Sequence, residues 1–203
     1  MEKLVERRDE LKEKIGKLLN ENQCTHILYS YHDRNRYLEN VIAYVLEGIE
    51  KGESIVLIEN ERNLNVLLKQ LNNQLTDDQL KKIKVISNFD FYQSSGSYHP
   101  PAIYEQLTKS ITPFLENGLS FRSWTNVEWG TLDNPSSIIE WFETETDRVV
   151  HEHNLTLVCA YEAERMPEHL EEALKKSHPH IMKDDDIMVS KVYNSGRELK
   201  LRR

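Results

Sequence analysis

Four residues that could bind a polar ligand or move a proton lie within the loop Ser30-Tyr31-His32-Asp33-Arg34-Asn35. They are a phenol, an imidazole, a carboxylate and a guanidinium in consecutive positions. His32 is the sharpest of them, because a neutral imidazole can hold a ligand or titrate near physiological pH. A solvent-exposed loop histidine is the alternative reading. The flanking residues predict what positions this loop. His26–Tyr31 is a short β-branched and aromatic run, which reads as a strand. Arg36–Lys51 follows with Leu38, Val41, Ile42, Val45, Leu46 and Ile49 at the spacing of one helix face. Gly52 stands where a helix most readily ends in a left-handed residue. Ser54–Ile58 is a second, nearly continuous apolar strand, as expected when both faces are covered. In a nucleotide-binding unit the loop between the first strand and the helix reads G-x-x-x-x-G-K-[ST]. Here it has no glycine and no Lys-Ser/Thr pair. The shape of such a unit is predicted without its phosphate chemistry.

The same alternation continues. Helices are expected at Asn63–Asn73, from Pro101 to about Asn117, from Ser136 or Ser137 to Glu152, and at Pro167–Lys176. Glu140 makes a capping box with Ser136 or Ser137 possible. Strands are expected at Ile83–Ser87, Leu119–Trp124, Leu155–Tyr161 and Ile187–Tyr193, with an aromatic loop from Phe89 to Pro101. Strands alternating with helices predict an α/β fold with a mainly parallel sheet flanked by helices. Ligands of such sheets sit beyond the carboxyl ends of the strands. The residues expected there include Tyr31, His32, Arg34, Tyr92, Asn126, Glu128, Trp129, Tyr161 and Glu162. Aromatics, carboxylates and a few cations suit a small, partly apolar molecule held by stacking and oriented by hydrogen bonds. The competing reading is that the aromatics fill the sheet edge and the charges face water.

Other constellations carry less chemistry. His151 and His153 are two positions apart, whereas a helical metal pair needs i, i+4; cationic histidines there suit a helix carboxyl end. His178 reads as structural, and Asp184-Asp185-Asp186 as a solvated turn. Cys24 and Cys159 are too few for a zinc site by themselves and read as buried thiols rather than a disulfide. No Ser-His-Asp arrangement or nucleophile elbow is present. No catalytic residue, metal ligand or cofactor is assigned.

The chain has 203 residues, a net charge of −8 and a pI of about 5.5. That length suits one domain with a full core. The acidic balance argues against nonspecific nucleic-acid binding, and the basic tail Arg197–Arg203 reads as a solvated end. Apolar runs are too short for a membrane span, and a charged amino terminus without a secretory stretch places the protein in the cytoplasm by expectation.

Five pieces in order resemble a known family. They are His26 opening the first strand with a tyrosine after it, Val45–Glu53 before the second strand, and Tyr92-x-x-x-Gly96-x-Tyr98-x-Pro100. Arg122 with Trp129 follows, and then Cys159-Ala160-Tyr161-Glu162 with Pro167 and His178-Pro179. Together, over about His26–Tyr193, they resemble the MEDS domain, the sensory domain of methanogens and methylotrophs typified by the DcmR regulator of dichloromethane degradation. The resemblance implies a RecA/KaiC-like three-layer core with a degenerate phosphate loop and a sensory, non-catalytic role. A family glutamate falls at Asn126, with Glu128 two residues on. Many relatives carry a DNA-binding or kinase module; this chain is expected to have no room for one. That implies action through a protein partner such as a kinase or transcription regulator. A divergent ATPase using Lys51, Arg34 or Arg62, and a pure interaction protein without a small ligand, are the alternatives.

Residues 1–22 lie outside the resemblance and read as a separate helix, followed by the sensory domain over 23–203. The helix stripe Leu4, Leu11, Ile15, Leu18 and Leu19, interrupted by Gly16, needs burial. Docking on the chain's own core and pairing with a second chain both satisfy it. The heptad step Leu4, Leu11, Leu18 favours a homodimer seam.

Overall fold

A computed structural model describes residues 2–22, 24–96, 98–129, 135–184 and 186–194. The elements alternate as the periodicity requires. Helix α1 (Glu2–Glu21) precedes β1 (Thr25–Tyr31), α2 (Arg34–Glu50), β2 (Ser54–Glu59), α3 (Glu61–Asn72), α4 (Asp77–Leu80) and β3 (Ile83–Ser87). Then come α5 (Asn88–Tyr92), α6 (Pro100–Glu116), β4 (Phe121–Asn126), α7 (Ser136–His153) and β5 (Thr156–Glu162). A single 3₁₀ turn (Ala163–Arg165), α8 (Glu168–Ser177), β6 (His180–Lys183) and β7 (Asp186–Val189) complete the order.

The seven strands form one sheet in the order β3-β2-β4-β5-β1-β6-β7. All neighbours are parallel except the β6–β7 pair. Strand alternation sends Tyr29, Tyr31, Ile55, Leu57 and Trp124 to the face covered by α1, α2 and α3. It sends Leu28, Val56, Ile58, Cys159 and Tyr161 to the face covered by α5–α8. The result is a three-layer core whose central strands are buried on both sides.

Several local expectations are met. Gly52 has φ +83°, and Pro100 and Pro101 occupy the first turn of α6. His153 ends α7, and both cysteines are free thiols, Cys159 buried and Cys24 partly so. Others change. Phe89–Tyr92, expected in a loop, lies in the short helix α5. A true capping box occurs at Thr76 and Gln79 of α4, a helix of one turn that has no period to detect in the sequence. Neither Ser136 nor Ser137 caps α7. Pro135 is at the cap, and the Ser136 hydroxyl instead meets His169 Nε2 at 2.7 Å. Strand β6 has no counterpart among the expected strands, and the last strand is shorter than expected, because the two form a small hairpin at the sheet edge. Asp184 in its turn is not merely solvated: its Oδ1 accepts from the Tyr29 hydroxyl at 2.9 Å.

Helix α1 docks on the chain's own α2. Leu11 and Ile15 are buried and Leu18 and Leu19 partly so, while the Leu4 side chain and Arg197–Arg203 lie outside the described residues. Burial of Leu11 and Ile15 is therefore achieved within one chain. Gly16 explains its own place in the stripe: a Cβ there would stand 3.0 Å from Glu47 Oε1, so glycine lets the two helices close together.

Candidate functional site

The amino end of α2 faces the carboxyl ends of the strands, and its chemistry comes from Asp33. This residue has an extended backbone, and its Oδ1 accepts from the backbone nitrogens of Asn35 at 2.7 Å and Arg36 at 3.1 Å. It is a carboxylate N-cap. It also fills the seat a phosphate takes in a nucleotide-binding loop, since exposed N–H groups and the helix dipole there select an anion. His32 beside it is exposed. Arg34 turns sideways, donating from Nε to Asn63 Oδ1 at 2.8 Å and from Nη2 to the Arg62 carbonyl at 3.3 Å. Lys51, considered as a stand-in for the phosphate-loop lysine, caps the opposite end of α2, about 25 Å away along the helix axis. Its Nζ donates to Asn20 of α1 at 2.9 Å. It cannot reach the strand ends.

Behind this loop a buried polar network crosses from α2 to the sheet. The Tyr37 hydroxyl donates to Glu59 Oε2 and accepts from Trp124 Nε1 at 3.0 Å and Asn126 Nδ2 at 3.2 Å. Asn126 also donates to the Tyr31 hydroxyl at 3.1 Å. Glu59, at the last position of β2, accepts at Oε1 from the Asn60 backbone at 2.7 Å and from Asn63 Nδ2 at 3.1 Å. Burial pushes the Glu59 carboxyl up to about 7, outweighing the Tyr37, Asn60 and Asn63 hydrogen bonds and the nearby Arg34 charge, all of which favour the ionised form. Burial likewise pushes Tyr31 up to about 12.

On the other face of the sheet the aromatics form a second group. Trp129 and Tyr161 lie 5.8 Å apart, and the Arg165 guanidinium sits 4.9 Å over the Trp129 ring. Arg165 is held there by a two-pronged pair with Glu128 at 2.7 and 2.9 Å. Tyr92 stacks on Tyr98 at 5.8 Å with rings nearly parallel. Tyr161 donates its hydroxyl to Glu143 Oε1 of α7.

Glu143 leads to a third cluster, deeper in the same layer. Its Oε2 stands 3.4 Å from His26 Nε2, 3.4 Å from Cys159 Sγ and 3.6 Å from His178 Nε2. His26 Nε2 and Cys159 Sγ are themselves 3.4 Å apart. All four residues are buried. Burial and the Glu143 charge push the Cys159 thiol up. Burial and the neighbouring His26 charge pull His178 down to about 3. For His26 the carboxylates Asp147 and Glu143 overcome burial, the largest single influence, and raise it to about 9.

The sheet thus divides the residues expected at the strand ends. Tyr31 and Asn126 meet on the α2 side; Trp129 and Tyr161 meet on the α7 side with Glu128 behind Arg165. Tyr92 joins Tyr98 instead, Arg34 binds α3, and His32 and Glu162 are exposed. Tyr37, Trp124 and Glu143 are additions from the structure. Each lies on a helix face or strand interior that pattern alone assigns to packing. His178, read as structural, packs its ring 3.8 Å from that of His26 and presents a nitrogen to Glu143.

Comparison with known proteins agrees with this architecture. Residues 25–179 match the family model described as "MEDS: MEthanogen/methylotroph, DcmR Sensory domain". No curated protein matches the chain. Among solved structures, the ATPase domain of a helicase superimposes with a TM-score of 0.52 at 8% identity, covering 80% of this chain and 69% of that one. At that identity the likeness is one of fold: a RecA-like ATPase domain shares the mostly parallel sheet flanked by helices. Among the described residues no helix is long and apolar enough to cross a membrane. With the family match spanning most of the chain, the protein belongs to the MEDS family of sensory domains.

Proposed function

We propose that this sensory domain is non-catalytic and recognises a small, partly apolar molecule at the carboxyl ends of β1, β4 and β5, passing the signal to a protein partner. The observation that carries the reading is the Asp33 carboxylate on the first N–H groups of α2. A nucleotide phosphate would have to displace a covalently tethered anion there, in a loop without glycine to wrap it. The aromatic groups around Tyr31 and Trp129 offer stacking surface, and Asn126, Glu59 and Arg165 offer a few polar atoms. Both groups are packed, so a ligand would open the Arg165–Glu128 pair over Trp129 or the β1–α2 loop. It shifts the domain only by binding the opened state better than the closed one. A kinase or a transcription regulator contacting that loop would read the difference.

Thermal shift measured against small alcohols, amides, amines and halocarbons, with ATP–magnesium in parallel, tests this. The expected result is a rise in melting temperature with a small neutral compound and none with ATP–magnesium. Saturable stabilisation by ATP–magnesium would favour the divergent-ATPase reading. Failure of the whole panel, with capture of a protein partner by the unliganded domain, would favour a pure interaction role.

A further inference from the structure

We propose that His26, Glu143, Cys159 and His178 form a four-coordinate transition-metal site of the zinc class. The residues come from β1, α7, β5 and the carboxyl end of α8, and their donor atoms lie within 4.8 Å of one another. A tetrahedral ion bound by imidazole, carboxylate and thiolate at about 2.0–2.3 Å has edges of about 3.3–3.8 Å between its donors. The four separations quoted above, 3.4, 3.4, 3.4 and 3.6 Å, are such edges.

The remaining atoms of the ligands are held as metal ligands require. His26 Nδ1 faces Asp147 Oδ1 at 3.3 Å and the Ser177 carbonyl at 3.2 Å. His178 Nδ1 faces the Leu174 carbonyl at 2.8 Å. Each arrangement places the proton on Nδ1 and leaves Nε2 as the donor to an ion, the pattern that orients ligating histidines. Asp147 is braced in turn by the Tyr193 hydroxyl at 3.0 Å. Meanwhile His178 Nε2 is fully buried and makes no hydrogen bond, an expensive condition for a polar atom. A metal ion at the centre of the four would give it a partner.

The donor set is also balanced in charge. One thiolate and one carboxylate neutralise a divalent ion, and both imidazoles bind neutral. Loading displaces two protons, one from the Cys159 thiol and one from His26 Nε2. Two nitrogens, a sulfur and an oxygen in a closed set select zinc over magnesium or calcium. With four protein ligands the site is structural, tying β1, β5, α7 and α8 together. The histidine rings, at 3.8 Å between centroids, lie closer than the roughly 5 Å of a tetrahedral pair, so loading swings them apart.

The test is metal content and cobalt spectroscopy on the full chain. Because the set is buried, the ion enters as the domain folds, so the protein is refolded with zinc or cobalt and passed over a desalting column. The expected result is one equivalent of zinc by elemental analysis and a raised melting temperature. With cobalt, a thiolate-to-metal charge-transfer band and intense visible bands of tetrahedral geometry are expected. Cys159→Ser should abolish the charge-transfer band. Asp147→Asn, which leaves all four ligands, should weaken zinc by about 10–100-fold. Wild-type protein that refolds without retaining either metal overturns the proposal, as does bound cobalt lacking the thiolate band. Because wild-type loading decides the matter, a variant that fails to fold does not shelter it. The site stands whether or not a small ligand binds at the strand ends.

Discussion

The hydroxyl of Tyr37 donates to Glu59 Oε2, and both groups lie inside the protein at the end of β2. The same hydroxyl already accepts from Trp124 and Asn126, so its proton has nowhere else to go. Glu59 is therefore surrounded by donors while buried from water. In the folded chain it takes up a proton near pH 7; in the unfolded chain it does so near 4.5. Between those values the folded state binds the extra proton, so stability falls as pH rises across that window and levels off above it. Urea melts at several pH values should show this slope and Glu59→Gln should remove it. The variant should also lose about 1–3 kcal/mol in acid, where its amide brings donors to a place full of donors. Arg34→Ala, which removes a charge favouring the carboxylate, should move the window upward.

Asp33 caps α2 alone through its side chain. Asp33→Ala should cost about 0.5–2 kcal/mol, and Asp33→Ser much less, because a hydroxyl replaces the acceptor. Chemical denaturation of both variants checks this; equal losses would show that the negative charge rather than the acceptor matters.

Gly48 lies on the buried side of α2. A Cβ there would stand 2.6 Å from Ile55 Cδ1 and 2.9 Å from Arg122 Nε. Arg122 cannot yield easily, since it is buried between Glu47 and Glu53 and lies over the Tyr44 ring. Gly48→Ala should destabilise the domain by about 1–3 kcal/mol through overpacking, despite the gain of about 1 kcal/mol in helix propensity. A melting temperature equal to or above that of the wild type would contradict this packing.

Ile15 is 1% exposed within a single chain. Ile15→Ala should lower stability by about 2–5 kcal/mol, by the same amount at every protein concentration. A loss that grows on dilution would instead identify α1 as a seam between two copies. Light scattering on the wild-type chain, run beside the melts, gives the oligomeric state directly.

The sequence by itself determined the layered architecture. Period-two apolar runs and helix-spaced stripes from His26 to Lys176 have few other ways to be buried, so strand and helix identities follow from burial alone. The five ordered motif pieces determined the family, and the missing glycines of the β1–α2 loop removed the phosphate-binding chemistry. The tertiary structure decided which polar groups meet. Tyr37, Glu59, Trp124 and Asn126 come from three segments that periodicity assigns only to packing, and the parallel register sets Asn126 opposite Ala160. Tyr31 and Trp129 both belong to strand ends, yet side-chain alternation sends them to opposite faces. His26, Glu143, Cys159 and His178 have no motif spacing, because β1 pairs with β5 and α7 and α8 pack over them only after the chain has crossed the sheet. Even α1 was ambiguous in one dimension: its stripe demanded a partner, and the approach allowed by Gly16 made that partner α2.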